Sequence, residues 1–176
     1  MIAAVPFMLV FRFLHIVFGA LWVGSAVLFV GFIGPSAAEV GPSAGPLLSV
    51  AVKKRKVGKV ITWLGMITVT AGWVMWIKNM SDHGGLADWL GTHFGVGLTI
   101  GGILATTTFF VGYLGVDRHV ERLVDLGDQM ATSGGPPSPE QQAEMGRVGA
   151  ALERYGKIDL ALLLLAVTAM STARYW

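Results

Sequence analysis

FMLVFRFLHIVFGALWVGSAVLFVGFI, from Phe7 to Ile33, decides the fold. Its only formal charge is Arg12 and its only imidazole is His15. A helix needs about 20 apolar residues to cross a hydrocarbon core of roughly 30 Å, and this stretch exceeds that. It is too long for a signal-peptide core and has no obvious small-residue cleavage site, so it reads as a retained span. Working outward, three further segments meet or approach the same requirement: about 60–77, about 90–116 (beginning as early as Leu86), and about 158–173. The expected fold is all-α, an integral membrane four-helix bundle forming a single domain over 1–176. Segments 34–59 and 117–157 are the connecting loops.

Composition agrees. Hydrophobic residues make up 53% of the chain and charged residues 14%, against about 25% charged in an ordinary soluble domain. With no cysteine, disulfides, thiolate metal sites and thiol catalysis are excluded. A formal charge of +2 is too small to suggest nucleic acid. The expected setting is a cell membrane, crossed several times, of the bacterial inner-membrane kind, with the lipid bilayer as first partner.

The basic residues orient the spans. Lys53, Lys54, Arg55, Lys56 and Lys59 lie between the first and second, and Arg118, Arg122, Arg147, Arg154 and Lys157 between the third and fourth. Only Arg12, Lys78 and Arg174 remain for the other side. Cytoplasmic loops retain Lys and Arg, so both termini are expected on the non-cytoplasmic side. Ser138-Pro139-Glu140-Gln141 has the pattern of a helix start with a capping box, which lets the short fourth span extend an earlier amphipathic helix. Gly156 is a candidate bend in it, and Gly134 to Pro137 reads as a mobile loop.

His15 lies two turns inside the first span, where an ionisable side chain is a functional candidate. Gly19 and Trp22 fall on the same helix face, and Gly19 leaves a slot beside the imidazole. His93 has Gly97 and Gly101 at the same interval, and a start near Leu86 would set it as deep as His15. Laying the first span over the third pairs His15 with His93, Gly19 with Gly97 and Gly24 with Gly102, a hint of two similar halves. Two imidazoles on different helices, each beside a slot, suit the axial positions of a haem b, with Phe11, Phe18, Trp22, Trp73, Trp76 and Phe94 as apolar walls. Arg12, Lys78 and Arg174 are the expected propionate partners. The same residues have plainer readings. Glycines four apart are a helix-packing device, histidines near helix ends bond carbonyls, and Trp89, Tyr175 and Trp176 suit an interfacial belt.

The run Leu14-His15-Ile16-Val17-Phe18-Gly19-Ala20-Leu21-Trp22-Val23-Gly24 resembles the first span of the CopD-like copper-resistance domains and the HemJ-type protoporphyrinogen oxidases. In both, a His is followed seven residues later by Trp and a basic segment precedes the second span, here Lys53 to Lys59 before Val60-Ile61-Thr62-Trp63. Trp89-Leu90-Gly91-Thr92-His93 is similar to the start of the HemJ-type third span. The resemblance implies a haem b held by His15 and His93. The chain has Gly34-Pro35-Ser36 where HemJ-type proteins have Leu-Pro-Arg, and Phe94-Gly95 where they carry a lysine, so the resemblance speaks more for the cofactor than for protoporphyrinogen oxidation.

The expectation is therefore a b-type haem protein acting in electron transfer or as a haem-dependent oxidoreductase, exchanging electrons with a quinone or redox protein. Two alternatives stay open. One is copper handling of the CopD-like kind, with His15, His83 and His93 as ligands and Asp82 and Asp88 nearby. The other is a non-catalytic subunit of a larger membrane complex or homo-oligomer, in which the glycine faces are helix contacts.

Overall fold

The computed structural model describes residues 4–133 and 136–176. Gly134 and Gly135, in the segment expected to be mobile, lie outside the described residues. All regular structure among the described residues is helical. The principal elements are α1 (Ala4–Leu28), α2 (Gly34–Val40), α3 (Gly45–Ser49), α4 (Val57–Asp82), α5 (Leu86–Leu90), α6 (His93–Val111), α7 (Arg118–Thr132) and α8 (Pro139–Thr172). Wider π turns at Phe29–Ile33 and Gly112–Asp117 join successive helices without ending them, and a third at Val50–Lys54 closes the first helical run before the break at Arg55 and Lys56.

Among the described residues, four helices are long and apolar enough to cross a membrane. The 26 residues of α4 reach about 39 Å. Large apolar side chains face outward along them, including Phe13, Ile16, Leu21, Ile103, Phe110 and Leu165. Water would penalise so much exposed apolar surface, and hydrocarbon does not. The connecting segments prove largely helical: α2 and α3 prolong the first span, and α7 prolongs the third.

The bundle closes as a ring. α1 packs on α4, α4 on α6, α6 on α8, and α8 returns to α1, so α1 and α6 stand diagonally opposed. Both termini lie at one end, the terminus end. The segments holding Lys53 to Lys59 and Arg118 to Arg122 lie at the other, the basic end. Trp22, Ala26 and Leu163 form the buried centre, with Phe109 and Leu160 packed against it.

Local chemistry explains the boundaries. Ser138 caps α8 as expected: its hydroxyl accepts from the Gln141 N–H (3.2 Å), and the Gln141 side chain accepts from the Ser138 N–H (2.9 Å). α8 then runs 34 residues through Gly156, which packs on Val30. α4 ends at a turn through Gly84 and Gly85, whose φ of 88° and 118° favours glycine.

The third span begins later than expected. α5 is a separate short helix, and α6 starts at His93, with Thr92 as its cap. The Thr92 hydroxyl accepts from the Gly95 N–H (2.9 Å) and donates to the Trp89 carbonyl (2.8 Å). Trp89 is fully buried, packed edge-on to His83 and Phe94. It belongs to this turn and not to an exposed aromatic belt, whereas Tyr175 and Trp176 are exposed.

Candidate functional site

His15, Gly19 and Trp22 share a helix face, and that face meets α4. The helices run antiparallel in one register, with His15 opposite Gly72, Gly19 opposite Thr68 and Trp22 opposite Gly65. A Cβ on Gly72 would stand 2.9 Å from the His15 ring, and one on Gly65 would stand 2.9 Å from the Trp22 ring. In the middle pair the roles reverse, because the space beside Gly19 is taken by the Thr68 methyl at 3.2 Å. Each glycine hole therefore holds a side chain from the facing helix.

The His15 Nδ1–H donates to the main-chain carbonyl of Thr68 at 2.8 Å. A carbonyl can only accept, so in the neutral ring the proton sits on Nδ1 and Nε2 keeps its lone pair. Histidines that ligate metals are commonly held this way, with one nitrogen anchored and the other free.

No residue of α1 between Phe7 and Leu21 is fully buried, and Phe11, Leu14, His15 and Phe18, which share one face, are each only partly covered. At the same end of the bundle, Gly97, Gly101, Ala105, Ala166, Ala169 and Ala173 are buried in the α6/α8 seam. Across α4, the Trp73 and Trp76 indole N–H groups donate to Thr106 and Thr99 on α6, and their rings meet edge-on with centroids 5.3 Å apart.

His93 is the first residue of α6 and is exposed. The Trp76–Thr99 bond fixes the antiparallel register of α4 and α6 and sets His93 level with Asp82, the last residue of α4. His15 is level with Gly72. From Gly72 to Asp82 the helix rises about 15 Å. Two axial ligands of one iron face each other across it, so His15 and His93 do not fit as a pair on one haem. Gly97 has no slot to offer either: a Cβ there would stand 2.5 Å from the Ala173 Cβ and 2.9 Å from its Cα. Likewise Gly101 abuts Met170 and the Ala166 carbonyl. The repeat suggested by matching the first and third spans does not extend to their surroundings, since among the described residues a Cβ on Gly24 would meet no neighbouring element within 4 Å, while one on Gly102 would meet Trp73 at 3.4 Å.

Among the expected propionate partners, Arg12 is exposed one turn from His15 toward the terminus end and joins no ion pair among the described residues. Lys78 pairs with Asp82 on its own helix. Arg174 is exposed beyond α8. His83 is exposed, its Nδ1–H donating to the Asn79 carbonyl at 2.7 Å. No group of three or more His, Asp or Glu side chains able to hold a metal ion occurs among the described residues.

Asp159, near the start of the fourth span, is not among the residues that the sequence singles out. It is 7% exposed in the α6/α8 seam, opposite Gly112, and its Oδ1 has no hydrogen-bond partner among the described residues. Its sequence position inside an apolar helix was the available signal. Comparison of the chain with protein-family models, with curated proteins and with solved structures finds no match.

Proposed function

We propose that this chain is a multi-pass membrane redox protein that holds a b-type haem through His15 and exchanges electrons with a quinone or a redox protein. The observation that carries the reading is the His15–Thr68 hydrogen bond, which leaves Nε2 free as a ligand atom within an apolar span. The partly covered face of Phe11, Leu14 and Phe18 supports it, since a flat apolar group needs such walls. When bound, the haem supplies one-electron chemistry.

The protein's own residues do the rest. Thr68 orients the imidazole through the Nδ1 proton. Gly72 lets the ring lie close against α4. Arg12 is placed to meet an anionic propionate one turn nearer the terminus end. His93 has no part in this site, and Gly19, Gly97 and Trp22 hold helices together. On the charge bias of the loops, the basic end faces the cytoplasm and the site lies toward the opposite side of an inner membrane.

Absorption spectra of the detergent-purified protein, oxidised and then reduced with dithionite, test the reading. Reduced bands of a b-type haem are expected in the wild type and lost in His15→Ala. A colourless wild-type protein supplied with haem during expression would overturn it. Copper bound without any porphyrin spectrum would overturn it in favour of metal handling.

A further inference from the structure

A second site lies lower in the bundle, where nothing in the haem reading reaches. The α6/α8 seam is built from small residues down to Gly112 and Gly115, and there two polar side chains of α8 replace the alanines. Asp159 faces Gly112, where a Cβ would stand 3.2 Å from Oδ1, and Tyr155 lies over Gly115. Asp159 is level with the buried centre: Leu160 and Leu163 beside it on α8 pack with Trp22 and Phe109. An ionised carboxylate there would need a counter-charge or several donors, because an unpaired charge buried away from water is very costly.

No such partner is present among the described residues. On α8 itself, Lys157 pairs with Glu153, and Arg154 lies over the Tyr155 ring. From α6 only Gly112 and fully buried Thr108 are near in register, and the Thr108 hydroxyl donates to the Leu104 carbonyl. The π turn brings Tyr113, which is exposed, and Asp117, which lies against Gly58 of α4. His119 of α7 packs on Tyr155, with centroids 5.1 Å apart, and its Nδ1–H donates to the Gly115 carbonyl at 2.5 Å. From the α1 side, Val30 meets Gly156, and the turn Phe29–Ile33 carries no titratable group. The titratable residues Arg12 and His15 of α1, and Arg174 and Tyr175 beyond α8, lie toward the terminus end.

The backbone opposite Asp159 is also irregular. At Gly112, α6 widens into its π turn, and the Gly112 N–H is divided between the Thr108 and Phe109 carbonyls. Single π turns inside helices recur at functional sites. A carbonyl that accepts only half a hydrogen bond has capacity for another donor, and a protonated carboxyl is one.

We infer that Asp159 and the widened turn of α6 at Gly112 form an intramembrane proton-binding site, in which the carboxyl carries its proton at neutral pH and gives it up toward the basic end. Uptake and release move one proton between the Asp159 carboxylate and water, and no other bond changes. Tyr155 and His119, packed on each other, lie between Asp159 and the basic end.

Infrared difference spectra of the full chain in lipid nanodiscs, stepped from neutral to alkaline pH, test this inference independently of any haem. The carbonyl band of a protonated carboxylic acid should be present at neutral pH, disappear as the pH is raised, and be missing from Asp159→Asn. That variant is nearly isosteric and should keep its helical circular dichroism. Spectra of wild type and Asp159→Asn that superimpose across this range would overturn the inference. So would loss of the band at constant neutral pH when potassium is exchanged for sodium, which would make the ligand a metal cation.

Discussion

The two antiparallel seams of this bundle solve the same packing problem in opposite ways. Between α1 and α4, large side chains enter glycine holes: His15 against Gly72 and Trp22 against Gly65. Between α6 and α8 the helices come closer: Gly97 lies against the Ala173 backbone, and Gly101 against the Met170 side chain and the Ala166 carbonyl. In lipid, association relies on such contacts because hydrocarbon gives apolar helices no reason to separate from solvent. A knob-and-hole seam keeps side chains that can carry chemistry. The closer seam leaves less room for side chains, and where it admits polar ones, Asp159 and Tyr155 opposite Gly112 and Gly115, the backbone facing them is a π turn.

The largest test of this contrast is Trp22→Ala, which empties the buried centre between Gly65 and Phe109. A loss of about 3–5 kcal/mol is expected, measured as earlier thermal unfolding in detergent by size exclusion. Second come the two glycines that matching of the spans made equivalent. Gly97→Ala drives a methyl into the Ala173 backbone and should cost about 1–3 kcal/mol. Gly19→Ala meets only the Thr68 methyl at 3.2 Å, and the gain in helix propensity, about 1 kcal/mol, offsets that contact. Equal effects of the two in parallel melts would break the contrast.

Ser138→Ala should cost about 1 kcal/mol through loss of the α8 cap, read as increased amide exchange confined to the first turns of α8. The smallest effect lies at the basic end, where Lys53 bridges Asp125 (2.7 Å) and Asp128 (2.8 Å). Lys53 and the Ser49 hydroxyl hold the Asp128 carboxyl below its ordinary range. Its contribution is therefore present above that range and lost as pH falls through the lowered value. Asp128→Asn should weaken docking of α7 on α3 slightly near neutral pH and not in acid, as judged by limited proteolysis at the two pH values.

Much of the fold was legible because hydropathy and capping are local. The four spans, the Ser138 cap and the shared face of His15, Gly19 and Trp22 all follow from spacing alone. The start of the third span was hidden by apolar Leu86 to Leu90, which continues the hydropathy across a break. Gly91 and Thr92 were the available signs of it. What fills a glycine hole is a tertiary fact: Gly19 and Gly97 have the same local pattern, yet one meets a threonine side chain and the other a backbone. The relative depth of His15 and His93 depended on that hidden boundary, so a pairing that looked possible on one helical wheel comes apart by about 15 Å along the axis. Asp159 was visible as a residue, but its isolation was not.

The most direct test of the account sets His15→Ala beside His93→Ala, both purified from haem-supplemented cells and compared by reduced-minus-oxidised absorption spectra. A b-type spectrum with wild-type haem content is expected in His93→Ala and none in His15→Ala. Haem retained in His15→Ala, or lost equally from both, would contradict it.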